Sequence, residues 1–215
     1  MTVTISRLYD DYATASQAVR DLEAAGLRAE DVSIVASNAD NWYRDDRSGR
    51  TARVDRDHDG TDDRAEGAET GAGIGAVVAG AAGLLAGLGI IAIPGIGPVV
   101  AAGWLASTAA GVVAGGAVGG IIGALTQAGV SKEDAHVYAE GVRRGGTLVS
   151  ARVPDAERSR YEAIFDRSAV NIRERGEAYR KEGWTGFDPN AAPYSAEQAR
   201  RERDTYAQSG ANRPL

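Results

Sequence analysis

From Gly71 to Val130 the chain contains no Asp, Glu, Lys or Arg. Glycine and alanine dominate, with Val, Ile and Leu scattered among them, and Pro94-Gly95-Ile96-Gly97-Pro98 divides the stretch into two arms. Small residues recur every fourth position in both arms. The first series is Gly71, Gly75, Ala79, Gly83, Gly87; the second is Gly103, Ser107, Gly111, Gly115, Gly119, Gly123. A period of four puts each series on one face of a helix. The spacing therefore predicts a glycine-zipper helical hairpin over 70–128, with Pro94, Gly95, Gly97 and Pro98 as its hinge. Glycine costs about 1 kcal/mol against alanine in an exposed helix, so such helices need a close-packed neighbour. Small faces let two backbones approach closely enough for that packing.

Length permits a membrane crossing. Gly71 to Ile93 would span about 34 Å as a helix, against a hydrocarbon core of about 30 Å. Composition argues less strongly, because most of that arm is Gly or Ala. The alternative is a hairpin buried between subunits of a soluble oligomer. Outside this stretch the chain is water-loving, with a mean hydropathy of -0.27 overall.

The flanks carry the pattern of a small globular unit. Thr2 to Leu8 alternates like a strand, and Asp10 or Asp11 then caps a helix with Tyr12, Ala15, Val19 and Leu22 on one face, ended at Gly26. Val32 to Ala36 is a second strand, parallel to the first. After the hairpin, Ser131 and Asp134 form a capping box for a helix buried through Ala135, Tyr138, Ala139 and Val142, and Gly145-Gly146 stops it. Thr147 to Val153 is a strand. Pro154 and Asp155 open a helix faced by Tyr161, Ile164 and Phe165, and Ala169 to Ile172 is a final short strand. The order β-α-β, hairpin, α-β-α-β predicts an α+β, ferredoxin-like, four-stranded sheet with helices on one face, interrupted by the hairpin. Its first half is 1–37 and its second 129–175.

The segment 38–69 is different. Its ten acidic and six basic residues supply -4 of the net charge of -6, and it reads as a solvated insertion. Within it, Asp55, Asp57, Asp59, Gly60, Thr61, Asp63 and Glu66 reproduce the spacing of a calcium-binding EF-hand loop. Asp62 stands where such loops place an aliphatic residue, and a chance match in an acid-rich linker is the competing reading. The calcium ion is thus the one candidate cofactor. From 176 to 215 the chain is polar and reads as a largely disordered tail, with Trp184 and Phe187 able to dock on the body.

Catalytic chemistry finds little footing. There are no cysteines and two histidines. His136 reads as a surface or rim residue, Asp134 as a cap, Glu140 as part of a solvated helix face, and Arg143-Arg144 as a basic pair favoured at a helix C-terminus. The glycine runs match neither a phosphate loop nor a dinucleotide fingerprint. A sequence pI near 5.0 does not suit nucleic acid. The expectation is a non-enzymatic protein without a small-molecule substrate.

Two segments carry a family resemblance: Ala92-Ile93-Pro94-Gly95-Ile96-Gly97-Pro98-Val99, and Gly129-Val130-Ser131-Lys132-Glu133-Asp134 with Gly141-Val142-Arg143-Arg144-Gly145-Gly146. Together with the flanking β-α-β pieces, over residues 3–174, they resemble the bacterial general stress protein 17M-like (heat-induced stress protein YflT-like) family. The resemblance implies a stress-induced ferredoxin-like domain with no catalytic residues to carry over. With the hairpin, it gives the expectation of a homo-oligomer in the bacterial cytoplasm, attached to or inserted in the inner membrane through lipid contact.

Overall fold

The computed structural model describes residues 1–43, 88–106, 108 and 120–211. Five strands form one sheet: β1 (Thr2–Tyr9), β2 (Val32–Ser37), β3 (Gly89–Ile93), β4 (Gly97–Gly103) and β5 (Thr147–Pro154). The helices are α1 (Tyr12–Ala24), α2 (Gly120–Gln127), α3 (Lys132–Arg143), α4 (Arg158–Phe165), α5 (Ile172–Lys181) and α6 (Ala196–Ala211). A short helical segment also starts at Trp104.

The strand order is β1-β5-β2-β4-β3, and every neighbouring pair is antiparallel. β1 and β2 run in the same direction, as the β-α-β pattern requires, yet they are not adjacent. β5 lies between them, with Ile5 opposite Ala151 on one side and Val32 opposite Ala151 on the other. The sheet is therefore five-stranded rather than four-stranded.

The extra strands come from the middle of the uncharged stretch, where the glycine spacing predicts a helical hairpin. Residues 89–93 and 97–103 are instead extended. Gly-Ile-Ile-Ala-Ile and Pro-Val-Val carry the β-branched side chains that suit a pleated surface, and β2 offers a complete ladder from Ser37–Val99 to Ser33–Gly103. The Pro94–Pro98 segment does reverse the chain, but between strands. Ile96 N–H donates to Ile93 O at 3.0 Å, with Pro94 second in the turn and Gly95 third at φ +76°. That is the residue pattern of a type II turn.

Helices cover both faces of the sheet, not one. On the first face α1 and α4 pack Val19, Leu22, Tyr161 and Phe165 against Ile34, Val149 and Val153. On the second, α2 and α3 bring Ile121, Leu125, Tyr138 and Val142 against Val35, Val99 and Leu148. The first face follows the predicted stripes closely. Asp11 caps α1 by accepting from Thr14 N–H at 2.8 Å, and Ser131 caps α3 by accepting from Asp134 N–H at 3.1 Å.

The expected final strand is reduced to one bond, Val170 N–H to Leu8 O at 2.8 Å. Asn171 then accepts from Arg173 and Glu174 N–H and starts α5 instead. In place of the largely disordered tail that the composition suggests, α5 continues to Lys181 and α6 follows. Tyr179 and Ala199 are fully buried and Phe187 nearly so. Three apolar pins so widely spaced leave no periodic pattern to read.

Candidate functional site

The predicted hinge is a platform. A Cβ on Gly95 would stand 2.6 Å from Asp188 O and 2.7 Å from Pro189 Cα, and one on Gly97 would stand 2.8 Å from Pro193 Cβ. The segment after α5 thus lies directly on the β3–β4 turn. Phe187 is inserted beside it, among Ile96, Ala139 and their neighbours, and its N–H donates to His136 Nδ1 at 3.2 Å. Burial, with Lys132 nearby, holds the His136 pKa below its ordinary value. Trp184 lies edge-on to Tyr179 with ring centroids 5.8 Å apart.

The zipper positions divide differently. Gly103 belongs to a strand end at φ +85°, where an added Cβ would sit 2.3 Å from Val32 O. Its small size serves the sheet, not a helix pair. Gly123 is in α2, where a Cβ would meet nothing within 4 Å among the described residues. Gly71, Gly75, Gly83, Gly87, Gly111, Gly115 and Gly119 lie outside the described residues. So do the calcium candidates Asp55, Asp57, Asp59, Thr61, Asp63 and Glu66. Among the described residues no cluster of His, Asp or Glu could hold a metal ion, and no helix is long and apolar enough to cross a membrane.

Both glycine-rich runs join the body at one end of the β3–β4 hairpin, because Gly89 pairs with Ala101. Each junction is tied by buried polar groups. Tyr43 Oη donates to Leu88 O at 2.9 Å, and Tyr43 is itself clasped by Asn38 through two 3.0 Å bonds. Trp42 Nε1 donates to Ser37 O at 2.7 Å. On the other arm Ser33 Oγ donates to Ala102 O at 2.8 Å and accepts from Leu105 N–H at 3.2 Å. Leu88 packs with the α1 face and Leu105 with the α3 face. The two leucines that adjoin the runs thus lie on opposite faces of the sheet.

Among the described residues, the end of α3 gathers a dense cluster of charge. Glu140, which the sequence places on a solvated face, is 1% exposed. It accepts from Arg144 Nε at 2.8 Å and from Arg143 Nη1 at 3.2 Å. Arg144 Nη1 also reaches Glu182 at 2.5 Å and Glu202 at 3.3 Å, and its guanidinium lies 4.1 Å over the Tyr179 ring. Burial alone would lower the Arg144 pKa, but hydrogen bonds to Glu140 and Glu182 outweigh it and raise the value. Nearby, Arg203 donates to Asp40 at 2.6 Å and Arg175 to Asp10 at 2.7 Å. Arg144 thus joins α3 to the end of α5 and to α6, a charge-assisted clasp. The i,i+4 spacing of Glu140 and Arg144 is the one sequence signal for it. The other two carboxylate partners, Glu182 and Glu202, stand at sequence separations of 38 and 58.

Compared with known proteins, the chain matches no family model, no curated protein and no solved structure.

Proposed function

We propose that this is a non-enzymatic stress-response protein, whose body holds two uncharged glycine-rich runs against the bacterial inner membrane, where they self-associate. We read the body as ferredoxin-like. The crossover helices α1 and α4 share one face, β5 lies between β1 and β2, and the Val170–Leu8 bond stands where a fourth strand would join β1. On that reading β3, β4, α2 and α3 are an insertion. The likeness of residues 92–99, 129–134 and 141–146 to the general stress protein 17M-like family supports the same view.

One observation carries the membrane part: the Gly89–Ala101 pairing and the buried Tyr43 and Ser33 bonds fix both uncharged runs to one end of the sheet. With residues 89–103 in strands, no helical hairpin can turn at Pro94. The run from Gly71 to Leu88 would reach only about 27 Å as a helix, short of the roughly 30 Å core. Attachment within one leaflet and zipper contacts through Gly75, Gly83, Gly111, Gly115 and Gly119 suit that length better than a full crossing.

Fractionation of native cells, with the membrane pellet washed in alkaline carbonate, tests this reading. Retention of the protein in the washed pellet is the expected result. Quantitative recovery as a soluble particle would overturn attachment.

A further inference from the structure

The sheet has two edges, and they are managed differently. β1 is engaged on its outer side by the Val170–Leu8 bond, and Met1, just before it, accepts from Asp155 N–H at 3.0 Å. The outer side of β3 pairs with no described strand. An antiparallel strand turns half its N–H and C=O groups away from its one neighbour, so such an edge recognises another extended strand. Edges are usually guarded by a charge, a proline or a bulge. β3, Gly-Ile-Ile-Ala-Ile, contains none of the three.

We propose that the outer side of β3 is a strand-addition surface for a second copy of this chain, paired antiparallel about a two-fold axis at Ile91 to make a continuous ten-stranded sheet.

Size and charge both select the second copy. A two-fold axis at Ile91 sets Ile90 opposite Ala92 and Gly89 opposite Ile93, so Ile90 and Ile93 each meet a small residue, and Ile91 meets its own copy. Ile90 and Ala92 are the exposed members of the strand. Ile90, 41% exposed, is the one bulky apolar side chain left in water among the described residues apart from Met1. The edge is neutral, and no charged residue occurs between Gly71 and Val130. Two copies can therefore meet here without burying a charge, whereas a charged partner strand would set its charge against Ile90. An isologous contact of this kind is self-complementary and closes at two. So short a strand on each side buries less than the roughly 1,200 Å² of a standard interface, so the dimer is a concentration-dependent one. The proposal does not rest on the glycine-rich runs entering a membrane.

The test uses the full-length chain, in detergent where needed. The sequence has no cysteine, so Ile91→Cys gives each copy one thiol on the proposed axis. A short dithiol-reactive cross-linker should couple Ile91→Cys into dimers, while Thr4→Cys, on the opposite edge strand, should remain uncoupled. Sedimentation equilibrium should show a monomer–dimer equilibrium. Ile90→Lys and Ala92→Lys, each at an exposed position, should weaken it by about tenfold or more through like charge on a paired edge, with unchanged thermal melting at low concentration. Three results would overturn the proposal. One is a monomer at every concentration. Another is a dimer indifferent to both lysines with Ile91→Cys uncoupled. The third is an edge whose amide exchange is slow and independent of concentration, which would mean the chain covers it itself. None of these alters the carbonate-wash result.

Discussion

Arg144 Nε donates to Glu140 Oε1 across one helical turn at 2.8 Å, and both side chains are nearly sealed from water, at 8% and 1% exposure. A pair this buried is held less by its own attraction than by the cost of breaking it.

Removing one partner should therefore be severe. Glu140→Ala leaves Arg143 and Arg144 without their shared acceptor and should cost about 3–5 kcal/mol in urea denaturation. Replacing Glu140 and Arg144 together with apolar residues of similar volume should cost much less than the single change. Equal losses would mean the pair is exchanged freely with water.

Two glycines separate clash from strain. Gly103 and Gly26 both have positive φ, +85° and +98°, but a Cβ on Gly103 would meet Val32 O at 2.3 Å while one on Gly26 meets nothing within 4 Å. Gly26→Ala should cost about 1 kcal/mol, the price of the backbone conformation alone. Gly103→Ala should cost about 3 kcal/mol or more, because β2 must also move. Thermal melts of the two variants, side by side, measure the difference.

Ser33 is fully buried and serves both Ala102 O and Leu105 N–H. Ser33→Ala strands the Leu105 donor away from water and should cost about 1–3 kcal/mol. Ser33→Thr keeps the hydroxyl and should recover part of that loss. Hydrogen exchange at Leu105 should accelerate in the alanine variant alone.

The Phe187 anchor should depend on pH. Nδ1 of His136 accepts from Phe187 N–H, which requires that nitrogen to be unprotonated. Since burial lowers the His136 pKa, the docked state disfavours the imidazolium. Its contribution is intact above the ordinary value of about 6.5 and is lost as pH falls from there through the lower, docked-state value. Glu202 acts in the opposite sense: burial, partly offset by Arg144, raises its pKa, so its protonation favours the closed clasp. Trp184 emission followed as pH falls through and below about 6.5 should report undocking, and His136→Gln should flatten that change.

Local signals read the α1–β2 unit correctly because each element there is self-announcing: a cap at Asp11, a stripe of Ala15, Val19 and Leu22, and a stop at Gly26. The middle of the chain misleads for a related reason. Gly103 fits a glycine series of period four, but its role is set by Val32 O, on a strand made long before it. Ile90, Ile91, Val99 and Val100 suit a helix or a strand equally in so apolar a context, and only the open side of β2 decides between them. Glu140 shows the same limit in a charged residue. Its position on α3 is legible, but its burial comes from α5 and α6, which a polar stretch offers no reason to place there.

The position of β5 has a consequence for synthesis. It is the second strand of the sheet and the last to be made, and β1 and β2 touch each other only through it. Until Pro154 has left the ribosome, β1 has no described strand to pair with, and β2 can pair only with the neutral β4. Closure then joins groups as distant in sequence as Ser6 and Ser150, whose hydroxyls meet at 2.8 Å. A chain wired this way folds late and slowly. While the ribosome works from Gly103 towards Pro154, the most apolar segment of the chain leaves the tunnel ahead of the strand that completes its sheet.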